Sequence, residues 1–454
     1  MTQEVQSLLA AGRWREAVPV LERLVAGAAP DPALVRQLAE LEILDGNAVR
    51  AMARLEALGT DRDDEAAFLA ARAEAALGHH AAARDRFIAL RARLSQPSAM
   101  LEVHLAASLQ QLGEHAEALS ALREAVRLRP DFVAAHENLV ALLEALGRDD
   151  AARAALRAAV QGAPGAGMLW LHLAYSESAT GDEMVTRAAL ARAEALDLDA
   201  AGWRLAGLLY AEYWSYEDAR RDLERSAALD PGQVDTEIAL AWVHSELGET
   251  QVALACLERA ARRYPGNLRV TVSERLILPQ VYASIDDLRR WRERYRSGIE
   301  RLTAELPHWK RSAGEILDLA RNNFLLAYQG EDDRDLQAGY SGFIHTLAAE
   351  ARPDLTAPRP IRYDGTRRLR VGFLSNIFRQ CTAGRYFEHW ITDLDHERFE
   401  RVVYHLSPEI DPLTRRIEAA SDEFAMLRGT ARELAARIAT DELDVLVYPE
   451  VGMG

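Results

Sequence analysis

Three polar side chains recur at a fixed spacing in the first half of the chain and could bind a peptide backbone. His104, Asn138 and His172 lie 34 residues apart, and a leucine follows each of them. Imidazole and amide groups can both donate and accept hydrogen bonds. In consecutive repeats this spacing would stack them along one inner face; the alternative is three solvated polar residues. Histidines with an ordinary pKa of ~6.5 would make such binding change between about pH 7.5 and 5.5.

A second set of polar residues lies near the C-terminal end. Cys381, Thr382 and Arg385 fall within RQCTAGRYF, and Glu450 ends the run DVLVYPE. Glu450 would lie in a loop after a strand, where parallel α/β sheets bind ligands. The alternative for Arg385 is that it packs against or caps a helix. The alternative for Cys381 is a small loop residue, since no basic partner for its thiol is evident.

The elements that position the first set repeat about every 34 residues. A glycine suited to a left-handed turn at a helix end recurs, with Trp214 in its place once. Those glycines are Gly12, Gly46, Gly78, Gly113, Gly147, Gly181 and Gly248. Five residues later comes a small residue that allows close helix packing, with Thr186 as the exception. Those small residues are Ala17, Ala51, Ala83, Ala118, Ala152, Ala219 and Ala253.

Proline follows seventeen residues after the turn in four repeats, where it would end the second helix. Those prolines are Pro130, Pro164, Pro231 and Pro265. With apolar residues at i, i+3 and i+4 between these landmarks, residues 1–266 resemble the tetratricopeptide repeat (TPR) family. The resemblance implies about eight helix pairs in an α-solenoid (superhelix). It also implies protein or peptide partners bound in the groove of the solenoid.

The rest of the chain divides into three segments with different predicted structure. Residues 267–350 are predicted to be a helical cap or connector, and residues 351–366, with three prolines, a linker. Strands alternating with helices from residue 367 onward predict a parallel, Rossmann-like sheet. The predicted strands are 369–374, 401–406 and 444–448, with FAMLRG as a possible short fourth strand.

Three segments of residues 367–454 resemble the O-linked N-acetylglucosamine transferase/SPINDLY family. They are LRVGFLSNIF, TAGRYFEHWITDLDHERFERVVYHLSP and LDVLVYPEVGMG. The resemblance implies a mostly α protein, in which a TPR solenoid precedes a partial α/β Rossmann-like lobe of a two-lobed (GT-B) glycosyltransferase. It implies sugar transfer from a UDP- or GDP-sugar to Ser/Thr of proteins held in the groove, with no other cofactor.

The same resemblance implies roles for individual residues. Cys381 occupies the position of a catalytic-cleft histidine, and His104, Asn138 and His172 occupy that of an asparagine ladder gripping extended peptide backbone. Arg385 could help stabilise a leaving nucleoside diphosphate. Because the family's nucleotide-sugar lobe would follow Gly454, we expect these 454 residues alone to be inactive. A non-catalytic TPR scaffold for protein–protein interaction is the alternative function.

Composition narrows the remaining function classes. The net charge of −16 and the lack of a basic cluster argue against nucleic-acid binding. Without a long apolar run or an apolar leader, we expect a cytoplasmic protein with no membrane partner. The two cysteines lie outside any C-x-x-C pattern, so no metal site is expected. The sequence leaves the oligomeric state open.

Overall fold

The chain is mostly helical and ends in a small parallel sheet, which confirms the predicted fold class. The computed structural model describes residues 3–26, 30–180, 182–318, 324–357, 363–407 and 410–449. By its internal packing the chain divides into two compact units, Met1–Pro231 and Gly232–Gly454.

Seven antiparallel helix pairs make up the described part of the first unit. Each pair has a first and a second helix. Their bounds are α1 (Gln3–Ala10), α2 (Trp14–Val25), α3 (Pro32–Leu44), α4 (Ala48–Leu58), α5 (Asp64–Ala76), α6 (His80–Arg93), α7 (Ala99–Gln111), α8 (His115–Leu128), α9 (Val133–Ala145), α10 (Asp149–Gly162), α11 (Gly167–Ser178), α12 (Glu183–Glu194), α13 (Ala200–Glu212) and α14 (Tyr216–Leu229).

The second unit contains an eighth pair, further helices and all four described strands. Its helices are α15 (Val234–Glu246), α16 (Thr250–Arg263), α17 (Leu268–Leu276), α18 (Ile285–Ala304), α19 (Leu306–Trp309), α20 (Arg334–Ala351), α21 (Pro353–Thr356), α22 (Thr382–Thr392), α23 (Pro412–Ala420) and α24 (Ala431–Thr440). Two 3₁₀ helices, Lys310–Asp318 and Phe324–Gln329, lie between α19 and α20. The strands are β1 (Leu369–Ser375), β2 (Phe399–His405), β3 (Glu423–Met426) and β4 (Val445–Val447).

The predicted turn glycines lie in left-handed backbone wherever the structure describes them. Gly113 has φ +75°, and its N–H donates to the Gln110 carbonyl at 3.0 Å. Trp214, which replaces glycine once, also has a positive φ of 58° and is 82% exposed. An L-residue in this region costs roughly 1–2 kcal/mol. The turn is therefore kept even where its residue is unfavourable; Gly181 lies outside the described residues.

The small residues five positions after each turn are the contact points between paired helices. All seven predicted alanines are at most 1% exposed. Thr186, the exception, is fully buried, and its hydroxyl donates to the Asp182 carbonyl at 2.9 Å. The hydroxyl of Tyr213 in turn donates to Thr186 at 3.2 Å. Hydrogen bonding of this kind makes a buried hydroxyl acceptable at a position that otherwise takes alanine.

The eighth helix pair shares its core with the helices that follow it. Cys256 and Leu257 of α16 belong to one buried cluster with Trp291, Tyr295 and Phe343. This shared core explains why the unit boundary at Pro231 precedes the end of the predicted repeats at residue 266. Among the described helices, none is both long and apolar enough to cross a membrane.

The C-terminal sheet is parallel, with strand order β3-β2-β1-β4. Helices cover both of its faces, as alternating strands and helices predict. On one face Phe387 of α22 and Ile417 of α23 pack against Phe373 of β1. On the other face Leu434 and Ile438 of α24 pack against the strand residues Val402 and Tyr404. The predicted strands are confirmed, and the fourth is β3.

Candidate functional site

The three repeated polar residues occupy equivalent positions in consecutive pairs. His104, Asn138 and His172 are each the sixth residue of the first helix of a pair, α7, α9 and α11. Helices α7 and α9 also contact each other directly. The structure therefore places the three side chains in one row of first-helix positions, as their spacing predicts.

His104 is packed between aromatic rings. Its ring lies edge-on to Phe68, with centroids 5.3 Å apart, and is stacked on Phe87 at 6.2 Å. Burial, and to a lesser degree the charge of Arg72, lowers the pKa of His104 to about 4. The imidazole thus stays neutral between pH 5.5 and 7.5, and the pH sensitivity expected from the sequence cannot arise from His104.

Asn138 and His172 differ from His104 in exposure. Asn138 is exposed, and its side-chain amide donates to the Ala134 carbonyl of its own helix at 2.8 Å. This bond occupies an amide N–H and fixes the side chain, while the amide oxygen can accept from a ligand. His172 is half-buried on α11. The row therefore offers an amide oxygen and imidazole nitrogens to a bound chain.

Three of the four residues proposed for chemistry near the C-terminal end lie together at the start of α22. Cys381 caps the N-terminus of α22, where its Sγ accepts the Gly384 N–H at 3.2 Å. Thr382 begins this helix, and Arg385 lies exposed in its first turn. Glu450 lies outside the described residues. Cys381 thus has a structural role at the helix end.

The loop before α22 is held in place by residues that the sequence analysis did not single out. The hydroxyl of Thr414 donates to the Phe378 carbonyl at 2.8 Å, and the carboxylate of Asp411 accepts the Gln380 N–H. Asp411 and Thr414 also form a capping box at the start of α23. Their D-P-L-T pattern is a recognisable helix-start signal that could have identified them.

Another overlooked pair lies at the carboxyl ends of the central strands. Ser375 of β1 and His405 of β2 are partners in register, and both are fully buried. The His405 ring lies 6.1 Å from that of Phe424. The sequence carries no distinct signal for His405, because β2 also contains the charged residues Glu400 and Arg401. Its burial makes it part of the sheet interior and not of an open site.

Comparison with known families identifies the repeats. The tetratricopeptide repeat family matches residues 104–167 and 239–267. The first match begins at His104 and includes Asn138, and it ends five residues before His172. The chain therefore contains TPR repeats, and His104 and Asn138 of the predicted polar row lie inside a recognised stretch of them. No curated protein sequence matches the chain.

Several solved structures are similar at low identity. An O-GlcNAc transferase from Thermobaculum terrenum has 22% identity and a TM-score of 0.40, covering 62% of this chain and 45% of its own. The protein MamA has 17% identity and a TM-score of 0.33, covering 37% of this chain and 92% of its own. YrrB, described as a TPR protein with an unusual peptide-binding site, has 18% identity and a TM-score of 0.33, covering 39% and 92%.

The chain thus spans under half the length of the O-GlcNAc transferase that it resembles.

Proposed function

We propose that this protein is a TPR scaffold that binds extended segments of partner proteins along α7, α9 and α11. The observation that supports the proposal is the row of His104, Asn138 and His172 at the sixth position of three consecutive first helices. An extended chain presents backbone N–H and C=O groups at regular intervals. A row of side chains that donate and accept can bind these groups whatever the partner's sequence.

The environment of His104 suits this role. A neutral imidazole has one N–H donor and one acceptor nitrogen, whereas the protonated ring only donates. Because the pKa of His104 is held at about 4, both functions persist throughout the physiological pH range. Packing against Phe68 and Phe87 also restricts the ring before a partner binds, which reduces the entropy lost on binding.

Replacing His104, Asn138 and His172 together with alanine should weaken peptide binding. If each forms one backbone hydrogen bond, the loss should be about 1.5–4 kcal/mol in total. The probe is a peptide selected from a displayed random library on the wild-type chain, and calorimetry gives its affinity. A matched control replaces His115, Gln161 and Arg192, which are exposed on the second helices of the same pairs. Equal binding by wild type and both variants would refute the proposed role of the row.

Sugar transfer is a second candidate function. It is supported by the C-terminal sheet, whose order β3-β2-β1-β4 fits a Rossmann-like lobe and whose first helix begins within TAGRYF. A UDP- or GDP-sugar would be the donor, and Ser/Thr of the protein bound by the repeats the acceptor. Arg385, exposed in the first turn of α22, could interact with the diphosphate.

The full chain, incubated with radiolabelled UDP- and GDP-sugars and a protein extract, tests this second candidate. Label transferred to protein by the wild type and lost in Arg385→Ala would support it. If the label on protein were no greater than in a sample without this chain, sugar transfer would be rejected in favour of the scaffold function.

A further inference from the structure

One surface of the repeats carries no charged residue. It consists of positions 2, 6, 9 and 13 counted from the first residue of α7, α9 and α11, a spacing that places them on one helix face. We call this the uncharged face. Its residues are Met100, His104, Ala107, Gln111, Ala134, Asn138, Ala141, Ala145, Met168, His172, Tyr175 and Ala179.

The side chains of this face are accessible. Met100 is 41% exposed and Tyr175 is 56% exposed. Ala107, Ala141 and Ala145 are exposed, and the remaining members are exposed or half-buried. Two rows of small or apolar residues, and a third that also contains Gln111, accompany the polar row of His104, Asn138 and His172. The face therefore combines hydrogen-bonding groups with apolar area.

In the neighbouring first helices, α5 and α13, charged residues occupy some of the same four positions. In α5 these positions include Glu65 and Arg72, and Arg72 pairs with Glu40 of α3 at 2.8 Å. On the other side, Glu212 occupies the last such position of α13. Charged residues make up 27% of the chain, yet none occupies any of the twelve positions of the uncharged face. The uncharged face is therefore a distinct surface.

The charges of α7, α9 and α11 themselves lie off the face or are paired behind it. Glu102 is 3% exposed and lies 3.4 Å from Arg91. Glu177 is 2% exposed and is bound by Arg157 at 2.8 Å. On α9, Glu137 and Glu144 border the face. A charge-depleted centre with charged margins is the composition of a protein-binding surface.

We propose that the uncharged face binds an extended segment of a partner protein that itself lacks charged side chains. The proposal rests on the proposed scaffold function and specifies its partner. A charged side chain buried here would lose water without gaining a counter-charge, which opposes binding. Small residues at Ala107 and Ala141 let a peptide backbone approach closely. Tyr175 offers a flat aromatic surface to an apolar or proline residue of the partner.

The test selects peptides from a displayed random library on the full wild-type chain. We expect the bound peptides to be depleted of Asp, Glu, Lys and Arg relative to the library. Their affinity should change little between low and high salt, because screening affects only charged contacts. Ala141→Glu should weaken them by roughly tenfold or more, because a charge would then lie unpaired in the interface.

Two matched variants distinguish the effect of a charge in the interface from the effect of a misfolded chain. Ala141→Gln adds a similar volume without charge and should retain most of the affinity. Ala158→Glu adds the same charge at an exposed position of α10 and should bind as the wild type does.

Selected peptides that are charged, sensitive to salt, and lost in the triple alanine variant would overturn the uncharged-partner inference and leave the scaffold function standing. Selected peptides that bind all variants equally, or an absence of selected peptides, would overturn both.

Discussion

Gly384→Ala should destabilise the C-terminal sheet by about 3 kcal/mol, as expected for overpacking against backbone. An added Cβ would collide with the Arg379 carbonyl oxygen and lie 2.5 Å from that of Ile377. This loop cannot easily move away, because Thr414 binds its Phe378 carbonyl at 2.8 Å. Chemical denaturation followed by circular dichroism measures the loss.

Gly342→Ala is the matched control for this substitution. Gly342 lies in α20, and an added Cβ would meet no atom within 4 Å. Alanine is a better helix former than glycine, so this variant should gain about 0.5–1 kcal/mol. If Gly384→Ala were as stable as Gly342→Ala, the close approach between α22 and the loop before it would be wrong.

A buried carboxylate in the first unit should make the stability of the chain depend on pH. Asp222 of α14 is fully buried, and its Oδ1 accepts from Arg221 Nε at 2.9 Å. Its Oδ2, and Oε1 of Glu194 on α12, are buried without a hydrogen-bond partner. Tyr210 of α13 and Arg225 also face this group. Burial, and then the nearby Glu194, raises the pKa of Asp222 to about 6.

The sign of the pH dependence follows from this raised pKa. Between about pH 4 and 6 the folded chain holds a proton on Asp222 that the unfolded chain has released. The contribution of Asp222 to stability therefore falls as pH rises through this range, by on the order of 1–3 kcal/mol. Asp222→Asn cannot titrate, so its stability relative to wild type should be greater at pH 7 than at pH 5.

Amide hydrogen exchange of α13 and α14 measures this difference, with both proteins compared at each pH. Asp218→Asn is the control, because Asp218 pairs with the same Arg221 from a half-exposed position. A difference between wild type and Asp222→Asn that stayed constant from pH 5 to 7 would contradict the buried, partly protonated carboxylate.

Much of the fold could be predicted because its determinants are local. The turn glycines, the buried alanines and the closing prolines each fix a helix end or a helix contact within one repeat. The strands were equally visible as short apolar runs between helix signals. The unit boundary at Pro231 was not, because it depends on residues such as Cys256 packing against Trp291, far along the chain.

The candidate site was predicted only in part, because several of its contacts join residues that are far apart in the sequence or become visible only in the folded chain. The 34-residue spacing located His104, Asn138 and His172, but not the Phe68 and Phe87 rings that pack against His104. Those contacts come from the preceding helix pair. Cys381 likewise could be aligned with a family position, while its bond to the Gly384 N–H became visible only in three dimensions.

Photo-cross-linking with a selected peptide that carries benzophenone tests the central claim most directly, since the full wild-type chain is used without substitution. Benzophenone inserts into nearby C–H bonds, and Met100, Met168 and Tyr175 are candidate acceptors on the uncharged face. Mass spectrometry of the digested product should place the adducts on α7, α9 and α11. Adducts confined to the second helices α8, α10 and α12, or to residues 369–447, would contradict the account.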